Sequence, residues 1–348
     1  MKRLAKSRKI INNCGHLRED IMKFSFKSIV ASVAISLLST AAIAETVWQM
    51  PTPYPEANFH TRNIQQFAAR IAEASKGELK IVVHPAGSLI KHAEIKNAAR
   101  SGQVEIGEFI ISNLANEDPI FALDAVPFLA ASFEDSARLY KVSKEALTKK
   151  LAEQRLMPLF SVPWPGQGLY TDRVINTVND LRGLKMRAYS PQTERLAQLL
   201  GAVPTQVEVP DLAQAFSTGR INAMITSTST GVNASAWDFL THFYDVSSFL
   251  PKNIIVVNRR AFERLSPELQ KIVLDAAAAA EERGWKMAQE DHLAMRKVLE
   301  EKGIKVSNGS EQLNAALREI GKTMGQEWSK EAGATGAAII KAFNDEKK

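Results

Sequence analysis

Residues 181–227 read LRGLKMRAYSPQTERLAQLLGAVPTQVEVPDLAQAFSTGRINAMITS, and this stretch decides the fold. Leu184, Met186 and Ala188 alternate with Lys185 and Arg187, which predicts a strand over 184–188. Ser190 is an N-cap with Pro191 at the first helical position, so a helix is predicted from there to Gly201. An extended run over 203–209 follows. Asp211 and Gln214 then suggest a capping box for a helix through Phe216 that stops at Gly219, and a strand is predicted over 221–226. Strand, helix, strand, helix, strand is the rhythm of a parallel sheet with helices on its faces. It raises a question of charge, because Lys185 and Arg187 share one face of the first strand. Either that face is solvated, or one cation ends the strand inside a cleft and grips an anion. Ligands of open α/β sheets sit beyond the carboxyl ends of the strands, and Arg187 lies near such an end.

The same rhythm extends towards the N-terminus. TVWQM (46–50) reads as a strand and PTPYPEAN (51–58) as a loop. Ile64, Phe67, Ala68, Ile71 and Ala72 follow helical spacing up to Gly77, and Leu79, Ile81 and Val83 alternate as a strand before the turn at Pro85-Ala86-Gly87. A helix over 93–100 ends at Gly102, and VEIGEFI (104–110) is a further strand. The loop PWPGQG (163–168) separates two βαβ-rich regions, which implies two α/β lobes. Beyond them the chain is helical. A run from Ser266-Pro267 to Lys302 would be about 50 Å long, with Gly284 expected to bend it and the helix to brace both lobes. Two amphipathic segments, 313–324 and 332–343, complete the chain.

The first 44 residues read as a leader. After Met22 come Lys23 and Lys27, a short apolar run over 29–38 and the small-residue site Ala42-Ile43-Ala44, the layout of a secretory signal peptide with cleavage expected after Ala44. Residues 1–21 read as an upstream extension, with Met22 as an alternative start. The leader carries eight Lys/Arg and two Asp/Glu, so the remainder keeps 36 of each and is formally neutral. The basic balance of the whole chain therefore belongs to the leader, and no electrostatic footprint for nucleic acid remains. Cys14, the only cysteine, also lies there. The expected product is a soluble, exported protein without disulfides, located in a periplasm.

Catalytic constellations are scarce. GQGLYT (166–171) lacks the third glycine of a dinucleotide loop, and GxxxxGK[ST], HExxH and GxSxG do not occur. His60, His84, His92, His242 and His292 are scattered, so neither a metal nor a cofactor is expected. Glu281-Glu282 and Glu290-Asp291 read as the solvated face of the long helix. Trp164, between two prolines, is either core filling or the wall of a ligand pocket.

With FAARIAEASKGELKIVVHPAGSL, GQVEIGEF, VPFLAAS and LPKNIIVVNRRAFERLSPELQKIVLDAA, the opening stretch resembles the solute-binding proteins of TRAP (tripartite ATP-independent periplasmic) transporters, the DctP family. These pieces cover nearly the whole chain after the leader, in the family's order. The resemblance implies an α/β, two-lobed periplasmic binding protein fold with a hinge and a long helix bridging both lobes. The lobes are expected at 45–164 with 253–292 and at 165–252 with 293–348. It further implies a non-enzymatic, monomeric receptor whose cleft closes on an organic acid. That acid is handed to the small and large subunits of a sodium-coupled membrane permease. The family's hallmark arginine, at the end of its G-x-K-x-R strand, corresponds to Arg187, whose planar fork matches two carboxylate oxygens.

Two positions depart from the family pattern: Gln167, where some members have a second arginine, and Thr226, where many have an asparagine. Both are milder anchors. With Trp164, Phe109 and Phe59 as apolar walls, the expected ligand is a monocarboxylate bearing a 2-oxo or 2-hydroxy group, or an aromatic acid. Lys91 would supply a second cation for the alternative, a C4-dicarboxylate. A periplasmic enzyme using Glu108 as a general base is the other alternative.

Overall fold

Two strands that each bury one face start the chain, β1 (Thr46–Pro51) and β2 (Leu79–His84), and they pair in parallel from Thr46 opposite Leu79 to Pro51 opposite His84. The helix between them, α1 (Phe59–Ala74), is capped by the Asn58 side chain, which accepts from His60 N, and buries Ile64, Phe67 and Ile71. The computed structural model describes residues 45–346; the expected leader over 1–44, with its cleavage point, lies outside them.

After α2 (His92–Ser101), β3 (Ile106–Ile110) leaves the expected parallel arrangement. It pairs antiparallel with β10 (Lys252–Asn258), which also takes β4 (Leu156–Pro163) antiparallel on its other edge. All seven residues of β10 are buried, as suits a central strand covered on both faces. The helix α3 (Phe133–Glu153) leads into β4.

The second region is a six-stranded mixed sheet containing β5 (Gly168–Thr171), β6 (Lys185–Ala188), β7 (Val203–Gln206), β8 (Ala223–Thr226), β9 (His242–Tyr244) and β11 (Lys305–Ser307), in the order β11-β9-β5-β8-β6-β7. Strand β6 is parallel to both neighbours, β7 and β8, while β5 runs antiparallel to β8 and β9. Gly183, at φ 74°, makes the turn into β6. Helix α4 (Pro191–Leu199) is capped by Ser190, whose hydroxyl accepts from Thr193 N. The expected capping box at α5 (Leu212–Ser217) does not form. Asp211 closes a 3-10 turn, is itself helical (φ −98°, ψ 0°), and makes no side-chain cap. Helix α6 (Thr228–Asn233) starts directly after β8.

The short α7 (Arg259–Glu263) is followed by α8 (Pro267–Glu301) and α9 (Glu311–Asp345), each of 35 residues. Helix α8 runs through Gly284 without a break. The missing side chain there serves packing: a Cβ would lie 2.7 Å from Asn63 Nδ2 and 3.0 Å from Val162 Cγ1. The two amphipathic segments near the C-terminus are halves of α9, joined through a kink at Gly333 (φ 54°, ψ −137°). Both long helices serve two cores. In α8, Val273 and Ala277 pack with Phe67 and Phe160, whereas Leu299 packs with Tyr170 and Phe243 of the six-stranded sheet. In α9, Leu313 and Leu317 join Met186 and Ile225, whereas Trp328 and Phe343 join Phe109 and Ile254.

Candidate functional site

Strand β6 carries Arg187 to its carboxyl end, where the side chain is 3% exposed. Its companion Lys185 stays at the surface and donates from Nζ to Gly219 O at 2.8 Å, so the two cations of the opening stretch have separate fates. The Arg187 Nε donates to Val207 O at 2.9 Å, its Nη1 lies 3.5 Å from Thr226 Oγ1, and its guanidinium carbon sits 4.7 Å from the centre of the Tyr189 ring. No carboxylate of the described residues is within ion-pairing distance of it. Burial lowers the Arg187 pKa, which states in another form that the cation has lost water without gaining an ion-pair partner. With Nε engaged, the end-on Nη1–Nη2 fork remains for an anion.

Around this fork lies a narrow cavity with only about 20 Å³ of free space, lined by residues distant in sequence: Tyr54, His92, Trp164, Gln167, Tyr189 and Glu208 among them. Of the expected site residues, Arg187, Trp164, Gln167 and Thr226 meet there. The other three lie elsewhere. Phe59 is in the core behind Trp164, ring centroids 5.6 Å apart; Phe109 packs in the opposite core from its neighbours on β3 and lines an adjoining pocket that shares His92, Tyr189 and Glu208 with this one; Lys91 is exposed at the start of α2. Tyr54, His92, Tyr189 and Glu208 escaped the sequence reading. Only their positions after strands, two residues beyond Arg187 for Tyr189 and just past β7 for Glu208, hint at a role. A larger cavity of about 500 Å³, lined by Arg100, Arg155, Arg260 and Arg264, contains none of these groups.

The walls are held by hydrogen bonds whose directions chemistry dictates. The indole of Trp164 can only donate, and it donates to Asn253 Oδ1 at 2.9 Å. Tyr54 Oη donates to the same oxygen at 3.1 Å, and Asn253 Nδ2 donates to Glu108 Oε1 at 2.8 Å. The second Glu108 oxygen accepts from Thr52 Oγ1. Glu108 is fully buried, and burial pushes its pKa up to about 7 against the bonds from Thr52 and Asn253. His60 Nδ1 stands 3.6 Å from it; burial lowers the His60 pKa, so that ring is neutral. On the other wall, Gln167 Nε2 donates to Pro165 O at 2.8 Å, and its Oε1 accepts from Tyr189 Oη at 3.0 Å. Tyr189 N donates to Thr193 Oγ1 at 2.9 Å, tying it to the cap of α4.

Glu208 is the one carboxylate on the cavity wall among the described residues. His92 Nδ1 lies 3.0 Å from its Oε2, while His92 Nε2 takes a long bond from Ile110 N at 3.3 Å. The ring is therefore the tautomer that donates to Glu208. Burial acts to raise the Glu208 pKa, but the bonds from His92 and Gln206 and the charge of Arg187 outweigh it and hold the carboxyl below its usual range. The cavity thus holds one permanent cation and one anion. Among the described residues no cluster of His, Cys, Asp or Glu is placed to hold a metal, and no helix is long and apolar enough to cross a membrane.

A family profile, DctP, bacterial extracellular solute-binding protein family 7, matches residues 53–331. The chain is similar to the extracytoplasmic solute receptor DctP6 of Bordetella pertussis, described as binding pyroglutamic acid, with 43% identity, 86% of this chain and 100% of that one covered, and a TM-score of 0.85. A marine metagenome TRAP solute-binding protein described as specific for pyroglutamate is 36% identical, with 86% of this chain and 99% of that one covered and a TM-score of 0.85. The monocarboxylate 2-oxoacid-binding periplasmic protein of Nostoc sp. is 26% identical over 253 residues, 69% of this chain and 67% of that protein.

Proposed function

Because the chain belongs to the DctP family, family 7 of the bacterial extracellular solute-binding proteins, and is thus a periplasmic TRAP receptor for an organic acid and not an enzyme, we propose that its cavity takes a small monocarboxylate with the acid group on Arg187. The observation that carries this reading is the buried guanidinium itself. Arg187 is 3% exposed and anchored through Nε, and it has no carboxylate partner among the described residues. A ligand carboxylate on the free fork would restore the lost solvation with two charge-assisted bonds.

Glu208 argues against a C4-dicarboxylate. It stands on the cavity wall, and Lys91, the cation that reading needs, is exposed outside the cavity. A second ligand carboxylate would face an anion without a partner, which is costly in a dry site. Pyroglutamate, the acid of two relatives, is the first candidate, with short 2-hydroxy and 2-oxo acids beside it. Capture then closes the lobes, 45–164 with 253–292 against 165–252 with 293–348, on the acid, which passes to the small and large permease subunits.

The test is titration calorimetry of the protein against pyroglutamate, 2-hydroxy and 2-oxo acids, succinate and malate. Binding of monocarboxylates is expected. Arg187→Ala is expected to weaken it by about 2–5 kcal/mol, roughly 30- to several-thousand-fold. Tight binding of succinate or malate with no monocarboxylate bound, or unchanged affinity in a folded Arg187→Ala protein, would overturn the reading.

A further inference from the structure

Resting on the capture of a monocarboxylate by Arg187, we propose that the cavity also demands a hydrogen-bond donor on the ligand, an N–H or O–H, read by the acceptor-only oxygens of Tyr54, Tyr189 and Glu208. The proposal assigns Asn253, Gln167 and His92 the task of keeping those three oxygens acceptor-only.

The proton bookkeeping leaves little freedom. Tyr54 has one proton, and it goes to Asn253 Oδ1. That amide is pinned at both ends. Its oxygen must face the Trp164 indole, which has no acceptor, and its nitrogen faces the Glu108 carboxylate, flanked by Thr52. Tyr189 has one proton, and it goes to Gln167 Oε1, an amide held in register because Pro165 O can only accept from its nitrogen. Burial raises both phenol pKa values, so both protons stay in place at neutral pH. Glu208 takes bonds from the Gln206 side chain and from His92, whose own acceptor nitrogen is occupied by Ile110 N. Each of the three oxygens keeps lone pairs and has no proton to offer. Ligand acceptors are served from Arg187, from the hydroxyls of Thr226 and Thr230, and from the second N–H of the Gln167 amide, whose first goes to Pro165 O; all four residues line the same cavity.

The cavity is therefore polarised: donors surround the acid group, and acceptors face the rest of the ligand. A lactam N–H, a hydroxyl or an ammonium completes the second half. A ring oxygen or a 2-oxo group leaves those acceptors buried and unpaired, which sites of this kind reject strongly. This separates 2-hydroxy from 2-oxo acids, which size and charge alone do not.

Isosteric pairs test it. Pyroglutamate is compared with 5-oxotetrahydrofuran-2-carboxylate, in which a ring oxygen replaces the N–H, and 2-hydroxyisovalerate with 2-oxoisovalerate, all by calorimetry on the intact protein. The donor member of a pair is expected to bind at least about 100-fold more tightly. Equal binding within a pair overturns the donor requirement while leaving carboxylate capture standing; no binding by any member overturns both. The ratio within the pair is then measured in Tyr54→Phe, Tyr189→Phe and Glu208→Gln, and it is expected to shrink at least about tenfold in one of them. A ratio unchanged in all three overturns the assignment. Gln167→Met, which frees the Tyr189 proton to turn towards the ligand, is expected to improve the acceptor analogue relative to the donor. A uniform loss for both analogues would mean that Gln167 only supports the wall and would remove it from the proposal.

Discussion

At Arg187 the shape of the cation matters as much as its charge. Its Nε is committed to Val207 O, and what remains is a two-pronged end that suits a carboxylate. Arg187→Lys is therefore expected to fold and yet to bind more weakly than wild type, because one ammonium cannot serve Val207 O and two ligand oxygens; calorimetry that finds full affinity would remove the bidentate pair. Glu108, next to the site but screened from it by Asn253, gives a second prediction. Its pKa, pushed up to about 7 by burial, lies above that of an unfolded glutamate near about 4.3, so the folded state holds the proton more tightly between these limits. Stability from this residue is complete at the acid end of that window and is lost as pH rises through it, by up to about 1.4 kcal/mol per unit. Glu108→Gln is expected to flatten the fall in melting temperature between about pH 4.5 and 7. A fall of equal slope in both proteins would place the proton elsewhere.

At the scale of the elements, α8 was expected to bend at Gly284, and it does not. The position answers to packing against β4 and α1, where Val162 and Asn63 fill the space a Cβ needs. Gly284→Ala sets two effects against each other: a gain of about 1 kcal/mol in helix propensity and an overpacking cost of about 1–3 kcal/mol. Net destabilisation is expected in urea unfolding, and a more stable variant would show that the contact yields easily. The turn between β6 and α4 was readable in advance because Ser190 and Pro191 act on neighbours within three residues; the structure adds Thr193, which completes the capping box. The missed box at Asp211 was unreadable for the opposite reason. The preceding 3-10 turn carries Asp211 into helical backbone before its side chain can cap anything.

For the molecule as a whole, the proposed closure should depend on contacts that never touch the acid. Asn58 Nδ2 donates to Asn233 Oδ1 at 2.8 Å, joining the start of α1 to the end of α6, segments assigned to different lobes. If ligand and closure are linked, a bond that forms only on closing adds to the apparent affinity. Asn233→Ala is expected to weaken binding by about 0.5–1.5 kcal/mol with little change in the melting temperature of the free protein. X-ray scattering of wild type is expected to report a smaller radius of gyration when the acid is added. Unchanged affinity in the variant would show that this bond takes no part in closing.

The sequence by itself determined the α/β rhythm, many of the local elements and, through pieces spread along the chain, the family, whereas α3, β4, β9 and β10 went unread. Within the site it put forward Arg187 as the proposed acid anchor, because strand period, caps and a carboxyl-end cation are written within a dozen residues. It also placed Trp164, Gln167 and Thr226 on the list before any of them had a neighbour. Only the tertiary structure decided that β3 abandons the parallel order for β10, since hydrogen bonding between strands some 145 residues apart (Glu108 lies opposite Ile255) leaves no local periodicity to read. Only it decided that Tyr54, His92, Tyr189 and Glu208 line the cavity around Arg187, that Lys91 and Phe59 do not, and that Phe109 lines the neighbouring pocket on the other side of His92, Tyr189 and Glu208. The direction of each phenolic proton was decided there too. It depends on which amide oxygen meets which indole or carbonyl, and that is a property of side chains brought together from distant parts of the chain.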